Sequence, residues 1–238
     1  MLVVAAVCPS PPLLVPEVAT GAAPELDAAR AACADAVGLL AASRPDRLYV
    51  VGPAEEGGVY PAGAVGSFAG FGVDLSVQLG EGPRPTDRPL PTPLPTPLAV
   101  AAWLLARAAW ADAPIEGRAV DAAATPDVCA GLGRELAGSA ERVALLVMGD
   151  GSACRTVKAP GYLDERAAGF DAEAARALGT ADTTALLALD AGLAAELKAA
   201  GRAPWQVLAG AAEGAGLDGR LLFEDAPYGV GYFVAAWS

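Results

Sequence analysis

One ten-residue segment, GDGSACRTVK at positions 149–158, concentrates side chains that could do chemistry. Ser152 and Cys154 are potential nucleophiles, but a hydroxyl or a thiol must first be activated by a base or by a lowered pKa. Because the chain contains no histidine, that activation would have to come from Lys158 or from backbone amide dipoles. An unreactive serine and an unreactive cysteine are the alternative interpretation.

The same segment could instead bind an anion. Gly149 and Gly151 permit a tight turn with exposed amides, and Arg155 and Lys158 follow that turn. The segment has neither the Gly-Lys-Ser/Thr end of a P-loop nor the third glycine of a dinucleotide-binding loop. An ordinary turn, whose basic side chains pair with neighbouring carboxylates, therefore remains an alternative.

The amino-acid composition excludes several kinds of site. Without histidine, the chain cannot form a serine-protease triad, a zinc site with two histidines on one helix, or an iron site of two histidines and a carboxylate. Its net charge of −12 argues against a nucleic-acid partner, because phosphate neutralisation needs a basic face. Six acidic side chains could contribute to an oxygen-rich metal site, although acidic side chains are usually solvated surface groups. They are Glu17, Glu55, Glu56, Asp150, Glu224 and Asp225.

Strand and helix patterns alternate along the chain, and these elements must position the polar residues. Apolar runs predict strands, and apolar stripes at helical spacing predict helices. The expected strands are 2–8, 47–52, 73–79, 115–120, 143–149, 220–223 and 231–236, and the expected helices are 25–42, 98–111, 126–137, 164–178, 183–200 and 204–215. This alternation predicts an α/β fold, a single three-layer αβα domain over residues 1–238 with a central, mixed and largely parallel sheet.

Four strand ends carry unusual sequence, and one of them is the 149–158 segment. The other three are CPSPP with Ser10, VGPAEEGG with Ala54 and Glu55, and FEDAPYGVGY with Glu224 and Tyr228. Ligands of open α/β sheets bind beyond the carboxyl ends of the strands, so we expect these loops to converge on one cleft. Tyr228 and Tyr232 could line a pocket there, or they could belong to a turn followed by a core strand.

The sequence predicts an intracellular, cytoplasmic protein. Its four cysteines have no metal-binding spacing and are expected to be reduced thiols. The apolar run 2–8 has no basic residues before it and prolines directly after it, which is unlike a signal peptide. The apolar run 98–111 is too short to span a bilayer, so no membrane association is expected.

The apolar motif AAWLLARAAW within this region favours a homodimer, and the proline-rich stretch 82–97 is expected to cross the surface in an extended form.

Taken together, these loops resemble the subunit-B superfamily of class III extradiol ring-cleavage dioxygenases, which also contains the Memo-like proteins. The matching motifs are CPSPPLLVPEV, VGPAEEGG, GDGSA, KAPGYLDERAAGFD and EDAPYGVGYFVA, which extend almost from end to end of the chain. The likeness is strongest to the actinobacterial branch of the superfamily. The resemblance implies the α/β fold of these aromatic ring-opening oxidoreductases and a pocket at the quoted loops.

Active members of that superfamily hold ferrous iron with two histidines and one glutamate, and a further histidine acts as acid and base. By resemblance, the first ligand position is Ser10, the second is Ala54 and the acid/base position is Ala153, while Glu224 is the counterpart of the carboxylate. One carboxylate and a hydroxyl cannot replace two imidazoles around Fe(II). We therefore expect no cofactor, and in particular no Fe(II).

These observations leave three hypotheses about function. The first is a protein with the superfamily fold and a degenerate active site, which binds a small molecule or acts as a scaffold without dioxygenase activity. The second is an enzyme of altered chemistry in the same cleft, such as a hydrolase or a lyase, that uses Asp150, Ser152, Cys154, Lys158 and Glu224. The third is a ring-cleavage dioxygenase with unorthodox iron ligands.

Overall fold

A computed structural model describes residues 1–82 and 93–238 of the chain. The strands are β1 (Leu2–Cys8), β2 (Arg47–Ala54), β3 (Gly58–Pro61), β4 (Val65–Ser67), β5 (Ser76–Gln78), β6 (Ile115–Asp121), β7 (Val143–Met148), β8 (Gly219–Asp225) and β9 (Tyr232–Trp237). The α-helices are α1 (Pro16–Ala19), α2 (Asp27–Ala42), α3 (Thr96–Arg107), α4 (Pro126–Ala137), α5 (Ala167–Gly179), α6 (Thr183–Ala188), α7 (Ala191–Glu196) and α8 (Arg202–Ala211). Short 3-10 segments cover Pro12–Leu14, Thr20–Leu26, Ala69–Phe71 and Pro227–Gly229.

Seven strands form the central sheet, in the order β3-β6-β2-β7-β1-β9-β8. The strands β6, β2, β7 and β1 are parallel to their neighbours in this group. At the two sides of that group, β3 runs antiparallel to β6, and β9 runs antiparallel to both β1 and β8. The expected α/β fold with a mixed, largely parallel sheet is therefore confirmed.

Helices cover both faces of the sheet, which gives three layers. Side chains alternate between the two faces of a strand, and β1 divides accordingly: Ala5 and Val7 pack with α4 to α8, whereas Val4, Ala6 and Cys8 pack with α2 and α3. Because both faces are covered, the Val- and Leu-rich strand β7 is buried along its whole length. The layers hold the carboxyl ends of the parallel strands in fixed relative positions.

Two expected elements differ in kind from the structure, and β3 and β4 are additional to the expected strands. The expected strand 73–79 is reduced to β5, which pairs with β4 in a separate two-stranded sheet. The expected helix 183–200 is divided into α6 and α7, because Asp190 accepts a hydrogen bond from the Leu193 amide and so starts a second helix. Most of the proline-rich stretch 82–97 lies outside the described residues.

The apolar motif that favoured a homodimer lies within the core of the chain. Trp103 and Trp110 are 6% and 8% exposed, and their neighbours Leu104 and Leu105 are buried beside them. These side chains pack against the sheet, so they do not form an exposed apolar face. In the described part of the chain, no helix combines the length and the hydropathy needed to cross a membrane.

Candidate functional site

Three of the four unusual loops meet at one edge of the sheet. The strands β1, β2, β6 and β7 all end at this edge, β8 also ends there, and β9 begins there. Backbone hydrogen bonds join the loops: Gly149 to Cys8 (3.0 Å), Gly151 to Gly231 (2.7 Å), Gly231 to Ser152 (2.9 Å) and Arg155 to Gly229 (3.0 Å). The expected convergence is thus observed for the loops after β1 and β7 and for the β8–β9 connection.

Ser10 and Asp150 form the centre of this edge. Pro9 ends β1 and Pro11 follows Ser10, so the stiff backbone directs the Ser10 amide towards the loop after β7. That amide donates to Asp150 Oδ1 at 2.7 Å. Burial raises the pKa of Asp150 to about 6, although the hydrogen bonds from Ser10 partly offset this effect. At neutral pH the carboxyl group is therefore close to the pH range in which it exchanges a proton.

Tyr232 is the buried neighbour of Asp150. The residue is 2% exposed. Its hydroxyl has no hydrogen-bond partner among residues 1–82 and 93–238, and the hydroxyl oxygen is not one of the fully enclosed unpaired atoms there. Burial, followed by the negative charge of Asp150, raises its pKa above the usual tyrosine value. Since it is not fully enclosed, the hydroxyl oxygen keeps some contact with solvent, and it is available to a bound molecule.

Tyr228 borders the same place from the β8–β9 connection. Its hydroxyl donates to Glu25 Oε2 at 2.7 Å, and this hydrogen bond raises the pKa of the tyrosine. Tyr228 has a φ of 59°, which is unfavourable for a bulky side chain and is more common at ligand sites than elsewhere. We call Ser10, Asp150, Tyr228 and Tyr232 the carboxyl-edge site.

A groove of about 1300 Å³ begins at the neighbouring strand end. Pro53 and Ala54 at the end of β2 line it, together with Glu55, Glu56 and the start of α3. Because β2 and β7 are adjacent in the sheet, and adjacent strands lie about 4.8 Å apart, this end of the groove is next to the strand end that leads to Asp150. The expected positions Ala54 and Glu55 therefore belong to the groove rather than to the carboxyl-edge site.

Ser152 has a structural role in the loop after β7. Its amide donates to Asp171 Oδ1 at 2.7 Å, and its hydroxyl donates to Asp171 Oδ2 at 2.8 Å. Arg155 Nη1 pairs with the same Oδ2 at 3.0 Å. Asp171 and Ser152 are both fully buried, so this cluster fixes the loop on α5 and does not present the serine hydroxyl to a substrate.

Cys154 and Ala153 are also enclosed by the protein. The Cys154 thiol donates to the Leu197 carbonyl at 3.5 Å, and the residue is 2% exposed. Burial raises its pKa above the usual thiol value, and the nearby Asp164 adds to this effect. The Ala153 amide donates a hydrogen bond to the Leu197 carbonyl at 2.9 Å, which fixes the backbone at this residue. These properties are those of an unreactive thiol, not of a nucleophile.

Lys158 and Glu224 are both exposed. Glu224 is on the edge strand β8, separated from β1 by β9 and from β2 by three strands. At about 4.8 Å per strand, its backbone is about 19 Å from the end of β2. Ligands lie about 2 Å from a metal ion, so Ser10, Ala54 and Glu224 do not converge on one ion. Within the described ranges, no group of three or more Cys, Asp or Glu side chains could hold a metal.

Ferrous iron, the metal of the resembled superfamily, does not fit these residues. The three positions expected from the resemblance to carry imidazoles offer one hydroxyl, from Ser10, and two methyl groups, from Ala54 and Ala153. Fe(II) sites of this kind depend on nitrogen donors. No reaction step through iron can therefore be assigned to this arrangement.

Comparisons with known proteins identify the fold alone. No protein-family model and no curated protein matches the chain. Among solved structures, the chain is similar to the crystal structure of uncharacterized protein JW3007 from Escherichia coli K12. The two chains share 16% sequence identity with a TM-score of 0.59, and the similarity covers 99% of each. At this identity the similarity extends to the fold and carries no activity with it.

Two residues of this edge were not among the expected site residues. The sequence predicts for Tyr232 either a place in a pocket lining or a place in a core strand, and the residue is the first of β9. Asp171 lies four residues after Ala167 and three before Ala174, so the three residues share the buried face of α5. A carboxylate at helical spacing within an apolar stripe is a signal that it has buried partners.

Proposed function

We propose that this protein binds a small organic molecule at the carboxyl-edge site, as a member of the dioxygenase-like superfamily whose active site has lost its iron chemistry. The observation that carries the proposal is the hydroxyl of Tyr232, a residue that is 2% exposed and lies near enough to Asp150 to be affected by its charge. This hydroxyl has no partner among the described residues. A groove of about 1300 Å³, lined by other residues, begins at the end of the neighbouring strand β2. Concave sites with a few convergent polar groups are typical ligand sites.

The residue types argue against ring-cleavage dioxygenase activity. The side chains of Ser10, Ala54 and Ala153 offer no nitrogen donor, and Glu224 is on the edge strand β8, with three strands between it and Ala54 on β2. Measurement of bound metal in the purified protein tests this part of the proposal. Stoichiometric iron that is lost in the Glu224→Gln variant would overturn it, as would rapid yellowing of a catechol panel under Fe(II) and oxygen.

A second candidate function is acid–base catalysis by Asp150 in the same place. It is favoured by one observation, the pKa of about 6 that burial gives this carboxyl group. A group with such a pKa can both accept and donate a proton near neutral pH. The buried Ser152 and Cys154 and the exposed Lys158 do not contribute to such a reaction in this arrangement.

A thermal-shift screen of a small-molecule library against the wild-type chain tests the proposed binding. Hits are then titrated by calorimetry into the wild type, into Tyr232→Phe and into Glu173→Gln, whose exposed carboxylate on α5 makes it a matched surface control. We expect Tyr232→Phe to weaken binding at least fivefold and Glu173→Gln to leave it unchanged. Equal affinity for all three proteins, or no hit at all, would contradict the proposal.

A further inference from the structure

We infer that the ligand of the carboxyl-edge site carries a positive charge, specifically a protonated amine on a small organic molecule. This inference rests on the proposed function, because it names the chemical class of the molecule bound there. It follows from three features of the site: the partners of Asp150, the charges along the groove, and the acceptor groups at its end.

The first feature is that Asp150 has no cationic partner in the described part of the chain. Its carboxylate accepts a hydrogen bond from the Ser10 amide at 2.7 Å and forms no ion pair. The basic residue of the same loop, Arg155, directs Nη1 to Asp171 instead. An ionised carboxylate in a partly buried position is stabilised by an opposite charge, and a bound ammonium group would supply that charge.

The second feature is the charge of the groove next to the site. Its described lining contains Glu55 and Glu56 and no lysine or arginine. The whole chain has a net charge of −12, and of its two lysines Lys198 contacts the Pro160 carbonyl at 3.4 Å. Acidic side chains along a groove attract ligands of the opposite sign and repel anions.

The third feature is the set of acceptors that an ammonium group requires. An ammonium group has three donors and no acceptor. Asp150 offers the remaining lone pairs of its carboxylate, and Tyr232 offers the lone pairs of its unpartnered hydroxyl. Ser10 offers the lone pairs of a hydroxyl whose proton interacts with Asp150. The rings of Tyr228 and Tyr232 are also suited to a cation, since aromatic faces attract positive charge. A carboxylate ligand would instead meet the negative charges of Asp150 and Glu25.

Matched probes separate charge from shape. Phenethylamine, its N-acetyl derivative and 3-phenylpropionate share a ring and chain length but are cationic, neutral and anionic at pH 7.5. Each is titrated by protein-observed NMR into the wild type, Asp150→Asn, Tyr232→Phe and Glu173→Gln. Asp150→Asn keeps the oxygen that accepts from Ser10, so it is expected to fold, and far-UV circular dichroism checks this.

We expect phenethylamine to bind at least tenfold more tightly than either analogue. Asp150→Asn should remove that preference, Tyr232→Phe should weaken the amine several-fold, and Glu173→Gln should change nothing. The neutral or anionic probe could instead bind as tightly as phenethylamine or more tightly, with Tyr232→Phe weakening that binding. This result would overturn the inference and leave the proposed function standing. Amine binding that Asp150→Asn does not alter would overturn the inference, and the absence of binding by all three probes would count against both.

Discussion

Ser152 and Asp171 are joined by two hydrogen bonds, from the serine amide to Oδ1 at 2.7 Å and from the serine hydroxyl to Oδ2 at 2.8 Å. This pair links the loop after β7 to α5, and both residues are fully buried. Arg155 completes the cluster at 3.0 Å. Because the loop also carries Asp150, the cluster determines where that carboxyl group stands relative to Ser10 and Tyr232.

Removal of either member of this pair is expected to destabilise the fold. Ser152→Ala removes the hydroxyl that donates to Asp171 Oδ2, which should lower the free energy of unfolding by about 1–3 kcal/mol. Asp171→Ala leaves Arg155 and the Ser152 amide without their acceptor, at a cost of about 3–5 kcal/mol. Urea unfolding followed by circular dichroism gives both values. Glu173→Gln, exposed on the same helix, should stay within about 0.5 kcal/mol; equal effects for all three variants would contradict this assignment.

The stability of the protein should depend on the ionisation of Asp150. Burial raises its pKa from the usual 3.8 to about 6 in the folded state, so the folded protein binds this proton more tightly than the unfolded chain. The contribution of Asp150 to the free energy of unfolding is therefore largest below pH 4, and it falls as the pH rises to about 6. The difference between the two pKa values corresponds to up to about 3 kcal/mol.

The Asp150→Asn variant isolates that contribution, because an amide does not titrate in this range. The unfolding free energies of the wild type and of Asp150→Asn should diverge between pH 4 and pH 6.5, with the wild type losing stability relative to the variant. Above pH 7 their difference should be constant. Parallel curves across the whole range would show that Asp150 has an ordinary pKa in the folded protein.

The exposed link between Tyr228 and Glu25 should contribute little to stability. Its 2.7 Å hydrogen bond joins the β8–β9 connection to the 3-10 segment Thr20–Leu26, and both residues are exposed. A double-mutant cycle with Tyr228→Phe and Glu25→Gln, measured by urea unfolding, should give a coupling energy of about 0.5–1 kcal/mol. A coupling energy above about 2 kcal/mol would indicate that the link is part of the folded core rather than a surface contact.

The sheet could be predicted from the sequence because its strands carry their own signal. The apolar runs of β1 and β7 are continuous and bounded by proline or glycine, so their limits were predicted to within one residue. Strand β5 could not be delimited, because only three of its residues pair and its partner β4 has a single buried residue. The division of the expected helix at Asp190 could not be predicted, because an aspartate that caps a helix is indistinguishable in sequence from a solvated one.

The site was only partly predictable, because the sequence does not show which side chains near the strand ends are buried. Ser10 and Asp150 were identified from stiff or glycine-rich turns at strand ends, and the parallel sheet brings them within hydrogen-bond distance. Ser152 and Cys154 were identified by the same signal, yet their side chains are enclosed. Sequence indicates which residues are near an edge, but the direction in which each side chain points depends on packing partners such as Asp171.

Gly231 is the position where this packing leaves no room for a side chain. A Cβ atom there would lie 2.6 Å from Asp171 Oδ2, which Ser152 and Arg155 already hold in place. Gly231→Ala is therefore expected to displace Asp171 and to lower the free energy of unfolding by about 1–3 kcal/mol, the usual cost of overpacking a buried position. The shift of the urea midpoint measures this cost.

Gly169 on α5 is the matched control, because a Cβ atom there meets nothing within 4 Å. Gly169→Ala should raise the free energy of unfolding by about 0.5–1 kcal/mol, since alanine is the better helix former and restricts the unfolded chain. The two glycine-to-alanine substitutions should thus have opposite signs. If Gly231→Ala were also neutral or stabilising, the carboxylate of Asp171 would have to be free to move, and the loop that carries Asp150 would not be fixed by it.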